Sequence, residues 1–147
     1  MLKECDSKVI DLLREAFELE EAGDIAGSIR MFKAAAKQGS NDARSKLGTI
    51  FDDVVHPSKP ARAVYWYKQG VKGGDAECAW NLAMHYAGLQ RKRGYLYWLL
   101  KAEAMGDPDA KAELLTGEWW GRRSKSGGKA GESKAGGSDT VLKVKIR

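Results

Sequence analysis

Two histidines and two cysteines are the residues of this sequence best suited to hold a metal ion. Zinc usually takes four ligands of these types, so one site would need all of them: Cys5, His56, Cys78 and His85. No C-x-x-C or H-x-x-x-H spacing brings any pair together in the sequence, and such spacing is the usual signature of a zinc site. The sequence therefore predicts no metal and no cofactor.

Nucleophilic catalysis would need a serine or cysteine activated by a base and placed beside an oxyanion hole. Neither the G-x-S-x-G order nor the Walker A order G-x-x-x-x-G-K-[ST] is present. Ser124 and Ser126 lie in a Gly/Lys-rich stretch that could not preorganise such a hole, and the Asp52-Asp53 pair is expected to be solvated at a helix end. We therefore expect a protein that is not an enzyme.

The elements that position these residues follow from a pattern repeated around Gly39, Gly74 and Gly106, which are 35 and 32 residues apart. Large residues precede each glycine by eight and seven positions, and a small and then an apolar residue follow it by four and eight. In chain order these residues are Met31, Phe32, Ala43 and Leu47; Trp66, Tyr67, Cys78 and Leu82; and Trp98, Leu99, Ala110 and Leu114. This spacing predicts a helix that ends at each glycine and another that follows it.

Start signals follow the same glycines. Ser40 and Asp75 can cap the next helix, and Asp107 can do so with Pro108 at the first helical position. We predict seven helices and no strand before Thr140. The helices are expected at about 7–22, 25–38, 40–52, 60–72, 75–88, 92–105 and 107–119.

The repeated pattern resembles that of the Sel1-like repeat family, which is related to the tetratricopeptide repeats. Residues 63–74 (AVYWYKQGVKGG) look like its A-x-x-W-Y-x-K-A-A-x-x-G half, and residues 30–39 and 97–106 match in register. Gly70-Val71 departs from the family's Ala-Ala pair. The resemblance covers about residues 25–117. It implies an all-α fold, a short α-solenoid of about three helix pairs plus a capping helix, and an adaptor that holds other proteins.

The net charge of +5 is unevenly distributed. Residues 1–120 hold 17 Lys+Arg and 18 Asp+Glu, whereas residues 121–147 hold eight basic and two acidic residues. Because the second segment is mostly Gly, Ser, Lys and Ala, we predict a helical repeat domain at 1–120 and a flexible basic tail at 121–147. The end of the tail, Thr140–Arg147, fits either a strand added to a partner's sheet or a frayed terminus.

A partner surface is predicted from residues that lie off the apolar stripes of the helices after Gly39 and Gly74. They are Arg44, Lys46, Thr49 and Ile50 on the first of these helices, and Glu77, Trp80, Asn81, Met84 and His85 on the second. A tryptophan with methionine and asparagine neighbours is typical of a peptide-binding groove, although Trp80 could also pack under the next repeat. We expect a protein or peptide partner here.

Aromatic and basic residues support an alternative function. Trp66 and Trp98 fit the core stripe, but Tyr65 and Tyr97 fall off it and are expected to be exposed. Arg91-Lys92-Arg93 lies nearby, and aromatics interleaved with cations can bind single-stranded nucleic acid. The alternative is therefore a nucleic-acid-associated protein, or one with another acidic partner, that uses this patch and the basic tail.

Three features favour a cytoplasmic protein that makes no membrane contact. The longest apolar run, Tyr95–Leu100, is far too short to span a bilayer. Residues 1–6 lack the apolar stretch of a signal peptide, and two cysteines make no disulfide framework. The oligomeric state stays open.

Overall fold

The computed structural model describes residues 4–125, and side chains from Asp6 to Arg122. Within this range every regular element is helical, so the predicted all-α class is confirmed there. The α-helices are α1 (Glu4–Glu21), α2 (Ile25–Lys37), α3 (Asn41–Thr49), α4 (Pro60–Lys72), α5 (Ala76–Gly88), α6 (Lys92–Ala104), α7 (Pro108–Thr116) and α8 (Glu118–Lys125). None of the described helices is both long and apolar enough to cross a membrane.

Two predicted helices differ from those observed. The helix expected to reach residue 52 ends as α3 at Thr49 and continues as a π-helical turn, Ile50–Val54. The helix expected at 107–119 is broken by Gly117, whose φ of 62° is left-handed, and α8 begins one residue later. Because α8 runs to Lys125, the predicted boundary at residue 120 falls inside a helix. The rest of the predicted tail, residues 126–147 with its strand-like end, lies outside the described residues.

The glycines of the repeat end their helices as predicted. Gly39, Gly74 and Gly106 have φ values of 97°, 88° and 96°, a region that glycine adopts without steric cost. The next residue's N–H then donates to a carbonyl five positions back, as in Ser40 to Ala35 and Asp107 to Ala102. A hydrogen bond of this span, closed by a left-handed glycine, is characteristic of the Schellman motif, which satisfies the last carbonyls of a helix.

The predicted caps are also present. The Ser40 hydroxyl accepts from the Ala43 N–H at 3.1 Å, and the Asp107 carboxylate accepts from the Ala110 N–H at 2.9 Å. Asp75 accepts from the Glu77 N–H at 3.0 Å. Each cap satisfies a backbone donor that would otherwise lack an intrahelical partner.

The described residues form two compact units, one up to Ala79 and one from Trp80 onward, so the boundary falls within α5. In the first unit α1 packs on α2, α2 on α3 and α3 on α4. Its core contains the predicted stripe residues at the repeat positions, with Phe32, Leu47 and Cys78 fully buried. Ile50, which was expected on the partner surface, is also fully buried. It follows Leu47 by three residues and Ala43 by seven, so ordinary helical spacing places it on the same buried face.

In the second unit α6 packs on α7. Leu82, Leu99 and Ala110 are buried at the predicted repeat positions. The third copy departs from the pattern after Ala110. Leu114, at the predicted apolar position, is only half-buried, whereas Glu113 beside it is buried. Glu113 turns inward to accept hydrogen bonds from the Tyr95 hydroxyl and the Trp119 N–H.

Candidate functional site

The predicted partner residues of α3 make contacts within the first unit. Arg44 donates to the Asn41 side chain of the same helix at 2.8 Å and to the Ala36 carbonyl of α2 at 3.5 Å, and Lys46 forms a 3.0 Å ion pair with Glu20 of α1. The Thr49 hydroxyl lies 3.4 Å from the Tyr67 hydroxyl of α4. All three side chains are half-buried. These contacts give them a structural role in joining α3 to its neighbours.

The predicted partner residues of α5 divide between the units, with Glu77 in the first and the other four in the second. Trp80, the expected anchor of the groove, is only 6% exposed, so its placement on an open surface is corrected. The helical-stripe argument assumed one buried face, but α5 is buried around much of its circumference, at Cys78, Ala79, Trp80, Leu82, Ala83 and Ala87. Asn81, Met84 and His85 are half-buried and Glu77 is exposed.

A groove of about 620 Å³ lies within the second unit, where α5 ends and α6 begins. We call it the basic groove, and its lining residues are Tyr86, Arg91, Lys92, Arg93, Gly94, Tyr97 and Trp98. The three cations follow one another in sequence and all are exposed. The groove thus combines a local positive charge with aromatic surface, a combination suited to an acidic ligand that also has apolar parts.

The backbone between α5 and α6 positions these cations. Gln90 is left-handed, with φ of 59°, and the Arg91 N–H donates to the Tyr86 carbonyl at 3.0 Å. This is the same helix ending as at the three repeat glycines, here made by a residue that adopts this conformation less readily. The predicted helix at 75–88 ends where α5 ends, at Gly88, but the left-handed residue of this ending is Gln90 rather than a glycine.

Gly94 shapes the floor of the basic groove. The Tyr86 ring lies so close to α6 that a Cβ added at Gly94 would be 2.8 Å from its Cγ atom. That separation is well inside van der Waals contact, so the ring and helix can meet only because residue 94 is glycine. Tyr86 also packs edge-on against His85, with ring centroids 5.5 Å apart.

Tyr97 forms an exposed wall of the basic groove. Its ring packs edge-on against Trp98 at 5.0 Å, and its side chain is 61% exposed. Tyr65 occupies the same repeat position in α4, packs in the same way on Trp66 at 5.1 Å and is 53% exposed. The predicted exposure of both tyrosines is confirmed. Tyr97 differs from Tyr65 because it lines the same groove as Arg91, Lys92 and Arg93.

A buried carboxylate holds α8 near this groove. Glu113 accepts a 2.6 Å hydrogen bond from the Tyr95 hydroxyl and further bonds from the backbone N–H groups of Trp119 and Trp120, at 3.1 Å and 3.3 Å. The Tyr95 ring stacks on Trp120 at 5.1 Å, and Lys92 lies 5.8 Å from the centre of the Trp120 ring. Burial, and then the neighbouring Glu113 carboxylate, raises the pKa of the Tyr95 phenol.

Sequence reasoning missed the role of Glu113. The neighbouring pair Trp119-Trp120 could by its sequence either cover an open core face or anchor a partner, and Trp119 is buried in the structure. A single glutamate in an amphipathic helix is normally solvated, and its contacts come from α6 and α8 together. Only the tertiary structure brings those elements to one carboxylate.

The remaining chemical candidates are separate from the basic groove. His56 is exposed, and the side chain of Cys5 lies outside the described range. Burial, and then the nearby Asp75 carboxylate, raises the pKa of the Cys78 thiol, which makes it a weak nucleophile. Among the side chains that the structure describes, no three histidine, cysteine or carboxylate groups form a cluster able to hold a metal ion.

Comparison of the chain with protein-family models, with curated proteins and with solved structures finds no match.

Proposed function

We propose that this chain is a non-catalytic peptide-binding adaptor built on Sel1-like repeats, and that its partner binds in the basic groove. The observation that carries the proposal is the meeting of three exposed cations with three aromatic side chains around one open groove. Cations on a rim attract carboxylates, and exposed tyrosine gives apolar contact area at low entropic cost. The expected partner is an acidic protein or peptide.

The repeat assignment is supported by the helix endings at Gly39, Gly74 and Gly106 and by the buried residues around them. In this proposal the helix pairs stack as a short α-solenoid, since one repeat cannot bury its apolar face alone. The protein would act in the cytoplasm, where a buried, unpaired thiol such as Cys78 is usual.

The basic groove is preferred to the α3 surface because of what the side chains already contact. Arg44, Lys46 and Thr49 are held by other residues of the first unit. A ligand would have to break those contacts, which would reduce its net binding energy. Arg91, Arg93 and Tyr97 are exposed and can meet a ligand without that loss.

A second candidate function is binding of single-stranded nucleic acid. The same aromatic and basic side chains could stack on bases and neutralise phosphates, and the basic residues of 121–147 could add to the attraction. This function predicts an affinity for an unstructured oligonucleotide that falls steeply with salt and is lost when residues 121–147 are deleted. Absent or salt-insensitive binding would remove this candidate.

Selection from a display library of random peptides tests the main proposal. The wild-type chain is expected to enrich acidic peptides, whereas the Arg91→Glu/Arg93→Glu variant should not bind them. The matched control is Lys68→Glu/Lys72→Glu, which makes the same charge change at two exposed positions of α4. Equal enrichment by the groove variant and the control would contradict the proposal.

A further inference from the structure

Helix α6 has a second apolar face that the fold leaves open. Its buried face is formed by Tyr95, Leu99 and Ala102. On the other side Leu96 and Leu100 are 38% and 56% exposed, and Tyr97 lies beside them. Residues three and four apart share a helix face, so these three side chains form one patch, which we call the leucine stripe. Exposed leucines grouped in this way commonly mark an interaction surface.

The repeat itself shows that the leucine stripe is not required by the fold. Six positions before the repeat glycine, the first two copies carry Lys33 and Lys68, whereas the third carries Leu100. All three side chains are exposed. Because lysine satisfies this position twice in the same chain, the leucine at position 100 is best explained by something outside the second unit's core.

The leucine stripe is continuous with the basic groove. Tyr97 belongs to both, and Arg93 lies one helical turn before Tyr97 on the same side of α6. From Arg93 to Leu100 the surface extends roughly 10 Å along the helix axis. It is cationic at the start of α6 and apolar farther along, so it complements a ligand with negative charge at one end and apolar side chains beyond it.

We propose that the basic groove and the leucine stripe together dock one amphipathic helical peptide, acidic at one end and leucine-bearing on one face. This inference rests on the proposed peptide-binding function and specifies the ligand class. Leu96 and Leu100 lie one helical turn apart on the surface of α6, and a pair with this spacing can pack against the side-chain ridges of another helix.

The backbone argues for the same ligand conformation. The part of the chain that the structure describes contains no strand, so there is no sheet edge to pair with an extended peptide. An extended peptide lying on the leucine stripe would leave its own N–H and C=O groups without protein partners. A helix satisfies these groups internally and therefore gives up fewer hydrogen bonds to water when it covers an apolar surface.

The test uses a synthetic peptide of about 18 residues with glutamates at one end and leucines on one helical face, made with the acidic block at either terminus. Its binding to the full chain is measured by fluorescence anisotropy. Leu100→Lys is the decisive variant, because it restores the residue that the other repeats carry. We expect it to weaken binding about tenfold or more, as truncation of a buried anchor does.

Tyr97→Ala should weaken binding similarly, and Tyr65→Ala is its matched control, expected to change the Kd less than about twofold. A peptide of the same composition with leucines spread around all faces, or with a central proline, should bind poorly. The circular dichroism of each variant shows whether its helices are retained.

Four outcomes overturn the inference. If Leu100→Lys leaves the Kd unchanged while Tyr97→Ala and Arg91→Glu/Arg93→Glu raise it, the peptide uses the groove alone, and the proposed function stands. If no variant matters, both proposals fail. If a single-stranded oligonucleotide displaces the peptide, and if Leu100→Lys does not change the affinity for that oligonucleotide, the site belongs to nucleic acid. If the chain forms a dimer and Leu100→Lys dissociates it, the leucine stripe binds a second copy of the chain.

Discussion

Gly70 and Cys78 show how single residues set the spacing of helices in the first unit. The Cys78 sulfur fills the space beside Gly70 where any larger residue would have its Cβ. Both residues are buried, so neither helix can shift outward without opening a void. The Sel1-like pattern has alanine where this chain has Gly70. The Cys78 side chain opposite this position explains why glycine is needed here. The sequence showed this departure but could not show its partner.

Replacing Gly70 with alanine should destabilise the chain by about 1–3 kcal/mol, because the new methyl group would overlap the Cys78 sulfur. Denaturant unfolding followed by circular dichroism measures this change. Adding Cys78→Ala to Gly70→Ala should recover part of the loss, since it removes the atom that clashes. Gly88→Ala is the control, because nothing lies within 4 Å of its Cβ position, and it should be neutral or slightly stabilising. A neutral Gly70→Ala would mean that the two helices are not packed as described.

At the scale of elements, the sequence predicts those helix boundaries that local chemistry determines. Gly39 and Gly106 end helices through their own backbone freedom, and Ser40 and Asp107 begin them through their own side chains. Each of these effects lies within a few neighbouring residues, which is why spacing alone could identify it. The site is different: the exposure of Tyr97 was predicted, whereas spacing alone left Trp80 open to either exposure or burial, and the structure buries it.

Glu113 attaches the start of α8 to α6, because its carboxylate accepts from the Tyr95 hydroxyl and from the N–H groups of Trp119 and Trp120. Glu113→Ala should destabilise the second unit by about 1–3 kcal/mol, because it leaves the Tyr95 hydroxyl and two backbone N–H groups buried without their acceptor. Unfolding followed by tryptophan fluorescence detects this loss near Trp119 and Trp120. Glu113→Gln retains one carbonyl oxygen and should lose less. Glu103→Ala, at an exposed position of α6, should have little effect, and a loss as large as that of Glu113→Ala would contradict this attachment.

At the scale of the whole molecule, three buried weak acids, which are two phenols and one thiol, all have a raised pKa. Burial is the largest cause of the raised pKa at Tyr67, at Cys78 and at Tyr95. Each group is therefore neutral in the folded chain at a pH where it would ionise in the unfolded chain. The folded state then holds more protons than the unfolded state in alkaline solution, and its stability must fall as the pH rises.

The free energy of unfolding should be insensitive to these groups below about pH 8 and decrease above it, first as the unfolded-state thiol ionises near pH 8.5 and then as the phenols ionise near pH 10. Each fully shifted group adds about 1.4 kcal/mol per pH unit to the slope. Urea unfolding between pH 7 and about pH 11 measures the profile. Tyr95→Phe should reduce the slope above pH 10, and an unchanged slope would show that this phenol is not protected as described.

The location of the bound peptide is the most direct test of the central claim, and amide chemical shifts of the isotopically labelled chain report it. We expect titration with a peptide selected by the wild-type chain to shift the amides of residues 86–100 most, around Tyr97 and the three cations. The same titration of Arg91→Glu/Arg93→Glu should leave them unchanged. Shifts confined to α3, with none around Tyr97, would contradict the account and return the partner surface to Arg44, Lys46 and Thr49.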